Sequence, residues 1–262
     1  MKHIRTIINK EWAEVFKNRL VFFTVVFLPL FFTALPLIML TFTKSSVPEG
    51  AGSSEVPAMF ASVCGSMGAN DCMQAFLLNQ FLIFFMMMPL IIPTTIAAYS
   101  IVGEKTTRSL EPLLATPVTT EELLIGKAMA ASLPAIGAGW LCFIIFVLLI
   151  PVTGASAAVQ KYALTPTWLV GVFAVGPLMA IAAVNLAIFI SSKVNDPRTA
   201  EQISMVLLFP LLALLLGQVA GKLVVNFQLM LIVVAVLIAV DIALVFLGAR
   251  MFQRETILTR WK

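Results

Sequence analysis

The 262 residues are 60% hydrophobic and only 11% charged, with a net charge of +4. Soluble domains carry about a quarter charged residues, so this balance excludes an ordinary soluble fold and leaves an integral membrane protein. The positive charge then reports insertion and contact with anionic lipid, and makes no case for nucleic acid.

Residues 1–19 form the first organisational unit. Ile4, Ile7, Ile8, Trp12, Val15 and Phe16 recur at three- and four-residue spacing, with Lys2, Arg5, Lys10, Lys17 and Arg19 mostly on the other flank. This pattern predicts an amphipathic helix in the inner headgroup layer, either a passive anchor or a docking surface. It is not a signal peptide, because the apolar segment behind it is too long and no small-residue cleavage site follows.

Residues 20–262 form the second unit, a six-span transmembrane domain of all-α class. A hydrocarbon core of about 30 Å needs about 20 apolar residues per helix. Six apolar windows approach that length: Leu20–Phe42, Gln74–Val102, Ala128–Val152, Thr167–Ser192, Ile203–Ala220 and Leu229–Leu247. The fifth ends its continuous apolar run at Leu216, before Gly217, Gln218, Gly221 and Lys222, so it is expected to bend or re-enter. With both termini inside, Lys and Arg divide fourteen to three between the cytoplasmic and outer sides, which fixes the orientation.

The outer loop, 43–73, is rich in Gly, Ser and Pro and carries Cys64 and Cys72. A disulfide between them would close a small loop containing Gly65 and Gly68 in a compartment that preserves such bonds; two free thiols are the alternative. Cys142, within the third span, reads as a packing residue.

The second span holds Asn79 and Gln80 toward its outer end, the run Phe84-Phe85-Met86-Met87-Met88, and Pro89 and Pro93. Such a helix is bent and adaptable, so Asn79, Phe84 and Met87 are candidates for a substrate path, against the plainer reading of packing or lipid contact. Pro210 and Gly217 give the fifth span a comparable bend. Asp241 lies well inside the sixth apolar run, as either an ion or proton site, with Asn185 a candidate polar neighbour, or a hydrogen-bonded packing residue.

The inner loop between the second and third spans, 103–127, has specific turn chemistry. Thr119 and Glu122 fit a capping box, Val118 and Leu123 a hydrophobic staple, and Pro117 blocks a helix from upstream, so a helix is expected from about Thr120. A shorter helix precedes it: Ser109 can cap, Glu111 suits the positive end of the dipole, and Pro112 falls in the first turn. Leu110, Leu113 and Leu114 would share one face, covered by headgroups, by the chain's own helix ends, or by a partner.

Gly103-Glu104-Lys105, Ser109-Leu110-Glu111, Leu113 to Val118, Glu121-Glu122 and Gly126-Lys127 together resemble the pattern E-K-x-x-G-[ST]-L-E-x-L-L-x-[TS]-P-[VI]…E-x-x-x-G-K of the type-2 ATP-binding-cassette (ABC) exporter permeases. Arg108 departs from the glycine common there. The rest of the resemblance is architectural and spans the chain. It implies that the short inner segment is a coupling helix fitting a groove on an ATPase subunit, with Glu104, Ser109, Leu110, Glu111, Leu113, Leu114, Thr116, Pro117, Glu121 and Glu122 at that junction. It also implies that the amino-terminal helix lies beside the coupling helix and that the second and fifth spans line the translocation route.

No phosphate-binding loop G-x-x-x-x-G-K-[ST] occurs: Lys127 is followed by Ala128, and Lys222 by Leu223. His3 is the only histidine, and neither a metal-binding nor a serine–histidine arrangement can be placed. ATP hydrolysis, with its ATP and Mg²⁺, is therefore expected on a separate subunit, and no cofactor or metal in this chain. One six-helix unit is half of a symmetric exporter, so a homodimer with two ATPase subunits is expected, in a prokaryotic cell membrane. The rivals are a secondary transporter or ion channel centred on Asp241, and a membrane scaffold. The cargo is not legible.

Overall fold

The computed structural model describes residues 2–17, 19–46, 60, 63–65, 67–106 and 119–251. Helix α1 is Lys2–Lys17, α2 is Arg19–Ser46, α3 is Ala69–Thr106, and α4 is Thr120–Leu149, ending in a 3₁₀ turn at Ile150–Thr153. Helix α5 is Ala157–Tyr162 and α6 is Pro166–Val170, which passes through a π turn at Gly171–Val175 into α7, Gly176–Ser191. Helix α8 is Pro197–Ser204, a 3₁₀ turn at Met205–Leu207 joins it to α9, Leu208–Val219, and α10 is Phe227–Met251.

Six stretches are long and apolar enough to cross a membrane: Val21–Thr43, Ala69–Ser100, Glu122–Thr153, Pro166–Ser191, Pro197–Val219 and Phe227–Gly248. They match the six expected windows. Helical backbone is the reason such segments can enter lipid, because each peptide group is satisfied within its own segment. The helices outrun the apolar windows: α2 continues to Ser46 and α3 runs from Ala69 to Thr106. Hydropathy marks the hydrocarbon slab, whereas hydrogen bonding carries a helix past it into the interface.

The second span is the hub. Seventy-two per cent of its best window is buried inside the protein, against 17% for the fifth and sixth. Helix α3 packs on α2, α4, α7, α8 and α9, while α10 packs on α7. Around the hub, Phe85 meets the ring of Trp168 at 5.7 Å, and Phe143 and Phe146 stack on the same indole at 6.0 and 5.5 Å. Trp168 is fully buried.

Span four leaves the α register at Gly171–Val175 for a traceable reason. Proline at 177 has no N–H, so the backbone of the preceding turn cannot close in the usual register. Instead the Gly176 N–H reaches back to Gly171 O, a π-type bond. That register would pair Val172 O with residue 177, which cannot donate; the Trp140 indole N–H of α4 donates to it instead, at 3.3 Å. The turn also sits tightly on the hub, since a Cβ at Gly171 would stand 2.8 Å from Leu82 Cδ1.

The fifth span passes through a 3₁₀ turn at Met205–Leu207, just upstream of Pro210. Proline at 210 removes the donor that Val206 O would use, and the helix tightens there. Beyond Val219 the chain turns through Gly221 at φ +68°, and Leu223 packs on Gly217, before α10 begins at Phe227.

Candidate functional site

The inner loop is described at its two roots. Ser109, Leu110, Glu111, Leu113, Leu114, Thr116 and Pro117 lie outside the described residues, as does Val118 of the expected staple. Glu104 falls in the last turns of α3 and Glu121 in the first turn of α4. The capping box forms as the sequence predicts: the Glu122 N–H donates to Thr119 Oγ1 at 3.2 Å, and the Thr119 N–H donates to Glu122 Oε2 at 3.2 Å. Two donors of the helix start are thereby satisfied, fixing where the loop ends and α4 begins.

Above the roots lies a closed polar ring that the sequence reading missed. Lys127 Nζ donates to Glu11 Oε1 at 2.9 Å and to Ser100 Oγ at 2.7 Å, and the Ser100 hydroxyl donates to Glu11 Oε2 at 2.6 Å. Glu11 is 2% exposed and Lys127 6%. A buried charge without a partner costs several kcal/mol, but here each charge faces the other and Ser100 occupies the second carboxylate oxygen. Burial alone pushes the Glu11 carboxyl up; the Lys127 charge, the Ser100 and Lys127 hydrogen bonds and the nearby Lys10 together outweigh it and hold the group below its ordinary value. The ring joins α1 to the last turns of α3 and the first turns of α4.

Helix α1 is seated on α4 by more than this ring. The Trp12 indole N–H donates to Ala130 O at 2.9 Å, and Ile7 lies so close to Gly126 that a Cβ there would meet Ile7 Cγ2 at 2.9 Å. The apolar stripe expected to face headgroups is thus turned in part onto the protein itself. Glu11 was legible in principle, because it follows Ile7 by four residues and Ile8 by three and so falls inside the apolar stripe. Its partners, 89 and 116 residues away, were not.

A second inner tie joins spans two and five. The Thr95 hydroxyl donates to Glu201 Oε1 at 2.5 Å. Glu201 sits on α8, which Asp196 caps by accepting the Thr199 N–H at 2.9 Å. That backbone bond first, and the Thr199 hydroxyl second, hold the Asp196 carboxyl below its ordinary value.

The path candidates distribute as follows. Asn79 is 1% exposed and makes three hydrogen bonds: Nδ2 donates to Tyr162 Oη at 2.6 Å and to Val225 O at 3.0 Å, while Gln218 Nε2 donates to its Oδ1. It therefore ties the second span to α5, to the end of α9 and to the turn before α10. Burial pushes the Tyr162 hydroxyl up to about 12, so it remains a neutral phenol. Met87 is buried in the hub, and Phe84 is half-buried against Phe32 at 5.4 Å. Pro210 is exposed on the outside of the fifth span. Asp241 is 8% exposed, and neither carboxylate oxygen has a hydrogen-bond partner. Cys64 and Cys72 are joined, with a Cα–Cα distance of 5.2 Å, and Gly65 between them takes φ +53°. The buried Phe60 beside them meets Phe76 and Tyr162 edge-on, at 5.2 and 6.3 Å. Among the described residues no group of three or more His, Cys, Asp or Glu could hold a metal.

Six apolar spans, 89% helix and no strand among the described residues define a multi-pass α-helical membrane protein. A family model for ABC-2 family transporter proteins matches residues 5–233, and the chain belongs to that family. It is a membrane permease component of an ABC transporter, the transmembrane part rather than the ATPase. A search of curated proteins finds no match to the chain.

Proposed function

We propose that the chain is the permease subunit of an ABC exporter, working as a homodimer with two ATPase subunits in a prokaryotic cell membrane, with both termini in the cytoplasm. Family membership implies an ATPase partner. The observation that carries the mechanism is the build of the inner loop's roots: a capping box fixes one, and the ring of Glu11, Ser100 and Lys127 ties both to α1. Roots held this way pass a push into the helices instead of absorbing it. In this reading ATP and Mg²⁺ bind on the partner, the ATPases close, and the Leu110 to Thr116 segment passes their movement to the second and fifth spans. Those spans are already tied at both ends, by Thr95 to Glu201 and by Asn79 to Gln218.

Copurification tests the junction. Leu113→Asp with Leu114→Asp leaves the apolar windows unchanged, so the spans still insert. Two carboxylates placed in an apolar groove would cost several kcal/mol, on the order of a thousandfold in affinity. Wild type is expected to bring down an ABC ATPase and the double variant to lose it at equal membrane levels. Retention of the ATPase and of ATP-driven outward transport by the variant would refute the proposed junction.

A further inference from the structure

We infer that Glu201 makes the inner mouth between the second and fifth spans selective for positive charge, so that the exported cargo is a monovalent cation with an apolar body. The inference rests on the proposed export and adds the class of substrate to it. Glu201 is the specificity-determining residue, and the Thr95 hydroxyl holds its place until cargo arrives.

The second span has one open side. Between residues 77 and 98 of α3, only Leu77, Gln80, Phe81, Phe84 and Ile91 are incompletely buried. At about 100° per residue these five fall within a strip about 100° wide, and Thr95 continues its line at the inner end. Phe84 meets Phe32 of the first span on this strip, and Thr95 meets Glu201 of the fifth. From Phe81 to Ile91 the strip offers no side-chain oxygen. A bare inorganic cation, which needs several oxygen ligands in place of its water, has no route along it. An apolar body does, and the ring of Phe84 also attracts positive charge.

The six spans contain four acids, Asp71, Glu122, Glu201 and Asp241, and two bases, Lys127 and Arg198. Lys127 is paired with Glu11, and Arg198 is exposed beside the cap Asp196. Asp71 and Glu122 stand at span ends, and Asp241 is buried on α10, which packs on α7. Glu201 alone is half-buried beside the open strip, and among the described residues no ion pair reaches it. Its tie to Thr95 is easily exchanged. The Thr95 hydroxyl lies 2.5 Å from Glu201 Oε1 and 3.3 Å from Ile91 O, so it keeps an acceptor in its own helix when the carboxylate turns to cargo. A carboxylate without a counter-ion in a partly dehydrated mouth attracts a cation and repels an anion. Loading the right charge thus also undoes the inner tie between the two moving spans.

The test reconstitutes the permease with its ATPase in liposomes, nucleotide sites outward. It follows ATP-dependent uptake of two probes of one shape and opposite charge, tetraphenylphosphonium and tetraphenylborate. Valinomycin with equal potassium on both sides holds the membrane potential at zero. Wild type should accumulate the phosphonium but neither the borate nor sodium. Glu201→Gln still offers Thr95 an oxygen, so assembly is kept; its KM for the phosphonium should rise about tenfold with kcat little changed. Glu201→Lys should exclude the phosphonium and admit the borate. Thr95→Val breaks the tie but keeps the charge, and should retain the phosphonium preference, which a pair acting only as a structural tie would lose. Borate carried as fast as phosphonium, sodium accumulation, or carriage of neither probe, by a wild type whose ATPase is bound and active, overturns the selection and leaves the exporter itself standing. That comparison is made on wild type, so it decides the matter even where a variant fails to accumulate. A Glu201→Gln that keeps the wild-type KM overturns the role of Glu201. A chain that recruits no ABC ATPase overturns the proposed function, and the selection falls with it.

Discussion

Replacing Asn79 by leucine removes the centre of the outer tie while keeping the branched, four-heavy-atom shape of the side chain. Three hydrogen bonds disappear, and three buried groups, Tyr162 Oη, Val225 O and Gln218 Nε2, lose the partner that Asn79 supplied. At about 1–3 kcal/mol for each orphaned group the cost is about 3–9 kcal/mol. Measured interhelical hydrogen bonds in membranes average about 0.6 kcal/mol, which for three bonds gives about 2 kcal/mol. The lower end of the first range, about 3–4 kcal/mol, is therefore expected. The structure adds a sharper test. Gln218 Oε1 already lacks a partner, so Gln218→Leu in the Asn79→Leu background removes two orphaned groups instead of adding any. The double variant should be no less stable than Asn79→Leu alone, although each single substitution destabilises. Unfolding by titration with a denaturing detergent measures the total, and hydrogen exchange at residues 220–226 shows whether the turn before α10 is what opens. A loss under about 0.5 kcal/mol for Asn79→Leu, or costs that simply add in the double variant, would refute the tie.

Asp241→Asn should preserve assembly and ATP-driven activity, since neither carboxylate oxygen has a hydrogen bond to lose and the amide sheds only the charge; normal assembly with activity abolished would instead favour an ion site. Glu11 gives a pH dependence of definite sign. Its carboxyl is held below 4.5 in the folded protein, so the unfolded chain binds the proton more readily and the ring's contribution is fully present above the ordinary glutamate range. It is lost only as pH falls through the lowered folded value. Proteolysis of α1 followed from pH 7 downward should therefore stay slow past pH 5, near where an ordinary glutamate begins to protonate, and rise at lower pH. In Glu11→Gln it should be fast throughout; an acid-triggered rise that survives that substitution would assign the release to another group.

The spans were legible because lipid imposes one demand, a long uncharged helix, and composition answers it directly. The start of α4 was legible because Thr119 and Glu122 lie three residues apart and cap one another. What escaped was everything that depends on distant pairing. Glu11 in an apolar stripe looks like a lapse in the pattern until Lys127 and Ser100 are seen around it. Asn79 was noted as a polar residue near the outer side, suited to a path, whereas its three partners come from α5, α9 and the turn beyond. The π turn has a local cause in the proline at 177, yet the donor that completes it comes from Trp140 on another helix. Hydropathy finds which residues enter the membrane, and is silent on which of the polar few meet there.

The fifth span is pinned to the second at two places, and the pins lie at unequal intervals along the two chains. From Asn79 to Thr95 the second span advances sixteen residues, about 24 Å of helix. From Glu201 to Gln218 the fifth advances seventeen, three of them in the more extended 3₁₀ turn, a path of about 27 Å. The extra length has to be accommodated between the two ties, where the 3₁₀ turn at Met205–Leu207 interrupts the α register of the fifth span. A change in the separation of the ties would therefore be taken up along the fifth span sooner than along the second, whose helix runs unbroken from Ala69 to Thr106.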